Sequence, residues 1–333
     1  MPNVLVTMPF DEGLLDRLRA VSPGLVVTRG DPASADYADA DVLYAGNPPR
    51  DLSRAPRLTW AQLHMAGVNA LHDHPIFAAR QVALTTSSGV HAAAIAEYAV
   101  TMLLALAHRV PRMVEWQRRG GWPPDERRWP LFVPTEVQGA TLGIIGYGSI
   151  GRELARIAKT AFGMTVLACK RDPTRRADDG YCLPGTGDPE GRVPDEWLPP
   201  SGLPRLLAQS DVVVMCAPLT QETRGMLGAR EFAVMKPTAY FINVGRGDTV
   251  NETALAAALG AGRLAGAAVD VFAKEPPAAG HPLYSLDNVI LSPHVSGFLP
   301  SYDEKCVALF AENLRRYLAG DVLLNLVDRA RGY

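Results

Sequence analysis

Leu142-Gly143-Ile144-Ile145-Gly146-Tyr147-Gly148-Ser149-Ile150-Gly151 is an apolar strand running into a glycine-spaced turn, and the turn opens a helix with Leu154, Ile157 and Ala158 on one side. In that strand–turn–helix setting, G-x-G-x-x-G reads as a dinucleotide-binding turn. Gly146 permits the tight turn, Gly148 lets the backbone approach a pyrophosphate, and Gly151 allows close helix packing. The helix N-terminus adds amides and a positive dipole.

Working outward, apolar runs at 141–145, 165–169, 211–216, 239–244, 266–271 and 289–291 alternate with helical stretches at 150–162, 203–209, 229–235 and 252–261. A second alternation precedes them, with strands at 3–7, 25–28, 42–45 and 58–62 and a helix at 12–20. Both predict α/β architecture with doubly wound parallel sheets. A chain of 333 residues is also too long for one ordinary core. Residues 120–134 and 172–204 have the Pro, Gly and charge content of loops. The second is read as a surface excursion rather than a flap over the cofactor.

Lys and Arg number 33 against 35 Asp and Glu, a formal charge of -2 with no long run of one sign, so nucleic acid and anionic membrane are not expected partners. Cys169, Cys182, Cys216 and Cys306 lack C-x-x-C spacing and read as buried, reduced thiols of a cytoplasmic protein. The N-terminal stretch reads as a first strand rather than a leader. The apolar segment 92–107, interrupted by Glu97, reads as a buried helix at a subunit contact rather than a membrane span. His72-Asp73-His74 lacks a third and fourth ligand, so no metal is expected there.

Three loop-like segments then supply chemistry: Asn243-Val244-Gly245-Arg246-Gly247, Val271-Phe272-Ala273-Lys274-Glu275-Pro276 and Ser292-Pro293-His294-Val295-Ser296-Gly297. Each follows a predicted strand at its carboxyl end, where doubly wound sheets bind ligands. Arg246 is suited to anchoring a carboxylate, His294 to donating a proton to the oxygen that gains charge during hydride transfer, and Glu275 to orienting the histidine. After the strand at 165–169, an acidic residue would accept the ribose hydroxyls of NAD; Lys170-Arg171 stand there instead. Cations at that place favour NADP(H), with NAD(H) as the second choice.

With GYGSIG at 146–151, CAPLTQETRGMLG at 216–228, NVGRGD, VDVFAKEP and SPHVSG, the chain resembles the D-isomer-specific 2-hydroxyacid dehydrogenase family over nearly its whole length, in particular glyoxylate/hydroxypyruvate reductases. The resemblance implies a Rossmann nucleotide domain (96–299) inserted into a flavodoxin-like substrate domain (1–95 plus 300–333), domain closure, and a homodimer. It assigns Arg246 to substrate, Glu275 to supporting the histidine and His294 to acid/base work. Ser149, Ile150, Pro218, Thr223, Val244 and Asp270 match cofactor contacts, and Ala66-Gly67 matches a turn whose amides grip the substrate carboxylate. The expected reaction is reversible reduction of a small 2-keto acid to the D-2-hydroxy acid. The alternative is a nucleotide-sensing, corepressor-like binding protein of the same fold.

Overall fold

The computed structural model describes residues 2–333. The chain opens with β1 (Asn3–Val6), α1 (Glu12–Arg19), β2 (Val26–Arg29), β3 (Val42–Ala45), β4 (Trp60–Leu63), α2 (Pro75–Ala78) and β5 (Ala83–Thr85). Helices α3 (Ala92–Ala107), α4 (Val110–Arg118) and α5 (Asp125–Phe132) follow. Then come β6 (Thr141–Ile145), α6 (Ser149–Phe162), β7 (Thr165–Cys169), β8 (Glu196–Leu198), α7 (Leu203–Gln209), β9 (Val212–Met215), α8 (Ala229–Val234), β10 (Tyr240–Asn243), α9 (Glu252–Gly260), β11 (Gly266–Val269), β12 (Val289–Leu291) and α10 (Tyr302–Ala319).

Two compact units result: Met1–His91 with Asp179–Leu183 and Leu299–Tyr333, and Ala92–Asp178 with Pro184–Phe298. The first holds a parallel sheet of order β2-β1-β3-β4-β5, the flavodoxin-like winding. The second holds a seven-stranded parallel sheet of order β12-β11-β10-β9-β6-β7-β8, the Rossmann winding extended by one strand. Each sheet is apolar on both faces. In the larger unit, Leu206, Phe232 and Leu255 from α7, α8 and α9 cover one side, while Ala96, Leu103 and Leu154 from α3 and α6 cover the other.

Residues 120–134, expected as a loop, contain α5. Pro124 stands as its N-cap and Asp125 and Glu126 occupy its first turn, an arrangement hidden by the Trp and Pro content around it. Cys169 and Cys306 are buried, but Cys182 is exposed, so the expectation of four buried thiols does not hold.

The 172–204 segment is more than a surface excursion. Its β8 extends the sheet beside β7, and Asp188 is buried. Two neighbouring charged residues on α6, each only 2% exposed, fasten it. Arg152 donates to Asp178 at 3.0 Å, to the Arg176 carbonyl at 2.7 Å and to the Asp188 carbonyl. Glu153 accepts the Gly187 amide at 2.5 Å. Tyr147, inside the glycine fingerprint, donates its buried phenol to Asp188 at 2.8 Å. Such buried charges persist because hydrogen bonds replace their water.

Candidate active site

The fingerprint turn lies where strand order reverses, between β6 and β9. Gly146 has φ +93°, and a side chain there would meet the Ala217 amide nitrogen at 2.5 Å. A Cβ on Gly151 would press the Gly146 carbonyl oxygen at 2.6 Å. Gly148 differs: nothing lies within 4 Å of where its Cβ would stand. Gly148 is also the N-cap of α6 and no side chain caps that helix, so Ser149 and Ile150 begin a helix with amides free to receive an anion. Two glycines are therefore required by packing and the third leaves open space, which fits a pyrophosphate.

Lys170 and Arg171 end β7 differently. Lys170 folds back to donate to the Arg175 carbonyl at 2.6 Å, and burial lowers its pKa from the ordinary lysine value, with Arg152 pushing the same way. Arg171 is exposed, 3.5 Å from Glu222. Across the turn after β9, Thr223 closes the loop by donating to the Pro218 carbonyl at 2.7 Å. Val244 is buried, with its amide on the Met215 carbonyl at 3.2 Å. Cys216, between these elements, has its pKa pushed up to about 12 by burial, which makes it a poor nucleophile.

Arg246, Glu275 and His294 follow β10, β11 and β12, three neighbouring strands, so the topology delivers them to one edge of one sheet. Glu275 Oε2 lies 2.8 Å from His294 Nδ1, and its Oε1 accepts the Phe272 amide at 2.9 Å. Because an ionised carboxylate only accepts, Nδ1 carries the proton in this pair. Both side chains are partly open, at 48% and 39% exposure. Arg246 is more enclosed: desolvation lowers its pKa while the charge of Glu275 opposes the shift. Its loop presses on the glutamate's, since a Cβ on Gly247 would stand 1.9 Å from the Phe272 carbonyl carbon.

Asp270 explains how the histidine is held. It is fully buried, and its carboxylate accepts Ser292 Oγ at 2.6 Å and the amides of Val295 and Ser296 at 2.9 and 3.0 Å. Its own carbonyl accepts the His294 amide at 2.9 Å. The loop is thus wound around one side chain, and His294 takes φ +54°, a left-handed conformation uncommon outside glycine. Ser292 has spent its proton on Asp270, so the Tyr98 phenol, 2.5 Å away, is the donor to Ser292. Beneath Glu275, Glu252 accepts the Ala273 amide at 2.6 Å and pairs with His281 at 2.9 Å.

Sequence reading did not single out Tyr98, Ser292, Glu252 or His281. Only Glu252, as the acidic residue opening α9, carries a local signal, and that signal is a helix-start preference. Ala66 and Gly67 lie in the smaller unit, just beyond β4. His72 and His74 are engaged by the Gly332 and Pro48 carbonyls. Among the described residues no group of three or more His, Cys, Asp or Glu is placed to hold a metal, and no single helix is long and apolar enough to cross a membrane.

Residues 100–296, more than half the chain, match the model of the D-isomer specific 2-hydroxyacid dehydrogenase NAD binding domain. A glyoxylate reductase of Thermococcus gammatolerans is 38% identical over 277 residues, covering 83% of this chain and 78% of the relative. Glyoxylate/hydroxypyruvate reductase B of Escherichia coli is 31% identical over 98% of both chains. A D-isomer specific 2-hydroxyacid dehydrogenase from Xanthobacter autotrophicus, solved with NADPH and MES, superposes with a TM-score of 0.79 at 30% identity, covering 100% of this chain and 99% of the other.

Proposed function

The chain belongs to the D-isomer specific 2-hydroxyacid dehydrogenase family, and from that premise we propose that it reduces a small 2-keto acid, glyoxylate or hydroxypyruvate first, to the D-2-hydroxy acid with NADPH in preference to NADH. The observation that carries the reading is the His294–Glu275 pair at 2.8 Å, set beside Arg246 on three adjacent strand ends. The bound dihydronicotinamide supplies the hydride. Arg246 holds the substrate carboxylate; its enclosed guanidinium gives a charge-assisted contact that a solvated one does not. Nε2 of His294 hands its proton to the C2 oxygen as that oxygen gains charge, and Glu275 orients the ring through Nδ1. Ala66 and Gly67 are assigned as further carboxylate-binding amides.

On the cofactor side, the fingerprint amides take the pyrophosphate, with Pro218, Thr223, Val244 and Asp270 as further contacts. Lys170 and Arg171 take the place of an acidic ribose acceptor, which supports NADP(H). The sensor alternative is not favoured, because the similar proteins are named as reductases. A cytoplasmic homodimer completes the reading; the exposed Trp122 and Trp129, at 80% and 76%, support the self-association.

Loss of NADPH and NADH absorbance across a panel of keto acids tests the whole. His294→Gln should lower kcat by about a hundredfold or more; a kcat near wild type removes it as the acid. Arg246→Lys should cost about tenfold or more in kcat/KM, since a point charge does not copy a planar fork. Equal or better kcat/KM with NADH would overturn the cofactor preference.

A further inference from the structure

His64 sits at the root of the turn assigned above to the substrate carboxylate: it directly follows β4, and Met65, Ala66 and Gly67 come next. Its backbone is pinned on both sides. The amide donates to the Ala45 carbonyl at 2.9 Å, and the carbonyl accepts the Tyr302 phenol at 2.9 Å. One residue on, the Met65 carbonyl accepts the Ser87 amide at 3.0 Å.

The ring is pinned as well. Nδ1 lies 2.9 Å from the Tyr44 hydroxyl, and Nε2 lies 3.5 Å from Asp303 in the first turn of α10. Phe10 from the connection after β1, Tyr44 from β3 and Tyr302 from α10 wall it, with ring centroids 5.9, 5.9 and 5.0 Å away. Cys306, also on α10, faces the His64 carbonyl, and His91 lies 6.0 Å from the Tyr302 ring. Asp303 accepts only, so Nε2 carries the proton and Nδ1 presents a lone pair to the Tyr44 O–H. Tyr44 is fully buried, with Ser87 and Cys306 also at its hydroxyl. The neutral imidazole thus satisfies its neighbours, whereas a second proton on Nδ1 reverses this bond: the Tyr44 hydroxyl must turn to accept and send its own proton toward Ser87 or Cys306. Nothing in the mechanism above uses this group.

We propose that His64 is a positioning residue for keto-acid binding: neutral, it ties the 65–67 turn to Tyr44 and to the start of α10, and protonated, it loosens that turn and weakens substrate affinity. The inference rests on the assignment of Ala66 and Gly67 to the substrate carboxylate. Burial lowers the His64 pKa below the ordinary histidine value and Asp303 opposes that shift. The neutral form therefore persists below the ordinary range, and affinity is lost on the acid side, as pH falls through the lowered value.

The experiment measures KM and kcat for glyoxylate at saturating NADPH between pH 5 and 8, with NADPH Kd by fluorescence titration, for wild type, His64→Asn and His64→Ala. An asparagine at 64 still offers Tyr44 an acceptor but does not titrate. Wild-type KM should climb severalfold toward pH 5 and His64→Asn should stay flat. For His64→Ala we expect KM raised about tenfold at pH 7.5, or about 1.4 kcal/mol, with kcat and NADPH Kd near wild type. An acid rise in KM that survives in His64→Asn overturns the inference, and so does a folded His64→Ala with wild-type KM or with equal loss of NADPH affinity. If the alanine variant does not fold, the asparagine profile decides. Gly67→Pro, which removes a turn amide, separates the parent assignment: wild-type KM in that variant means the turn does not hold the carboxylate, whatever His64 does.

Discussion

Glu275 divides its carboxylate between a backbone amide and the histidine, and Asp270 gathers three donors from the loop that carries that histidine. The placement of His294 is therefore fixed from two sides. Tyr98 is the outermost member of this chain of hydrogen bonds. Tyr98→Phe removes a donor to Ser292 without altering shape, and a neutral hydrogen bond is worth about 0.5 to 1.5 kcal/mol. Spent on holding His294, that should appear as a kcat lowered about threefold to tenfold, with KM and NADPH Kd close to wild type. Stopped-flow single turnovers check it; a tyrosine that matters only to packing would leave the chemical step untouched and lower the melting temperature. The adjacency of Glu275 and His294 was readable in sequence because each sits in a short loop just past a strand of one sheet. Tyr98 was not, since one hydroxyl within an apolar helix breaks no periodicity and points to no partner.

At the scale of elements, α6 and the 172–204 segment form one construction. The sequence marks only the Leu154, Ile157 and Ala158 side of α6, because pattern alone distinguishes apolar from charged and does not show that another segment covers Arg152 and Glu153. The short strands β5 and β8 also escaped the reading: Ala-Leu-Thr and Glu-Trp-Leu lack the unbroken apolar character that made the equally short β12, Val-Ile-Leu, visible. The cover has an energetic consequence. Arg152→Met takes the guanidinium from the Arg176 carbonyl and from Asp178 and leaves the Asp188 carbonyl to the Gly191 amide, so destabilisation of about 3 kcal/mol is expected. Tyr147→Phe should cost only about 1 kcal/mol. Urea midpoints for the two variants test the ranking, and an Arg152→Met midpoint equal to wild type would show that water replaces the guanidinium without cost.

At the scale of the molecule, two parallel windings were legible from alternation alone, because strands buried on both faces read as continuous apolar runs separated by helices. The course of residues 179–183 was not. Tyr181 packs with the core of the smaller unit, and a Cβ on Gly89 would stand 2.2 Å from its carbonyl oxygen, a fit that no local composition encodes. The fingerprint, Lys170, Arg171, Pro218, Thr223, Val244 and Asp270 all lie in the larger unit, so nucleotide affinity should reside there. A ligand at a hundred times its Kd stabilises the state that binds it by about 2.7 kcal/mol. Hydrogen exchange with NADPH and no keto acid should therefore slow opening of β6, β7, β9 and the turns after them, while amides of β1 to β5 exchange as in the free protein. Glyoxylate without nucleotide should protect neither sheet to that extent, since one small anion has few contacts to offer. Equal NADPH protection of the β1–β5 sheet would contradict this division and require the nucleotide's binding energy to be shared by both units.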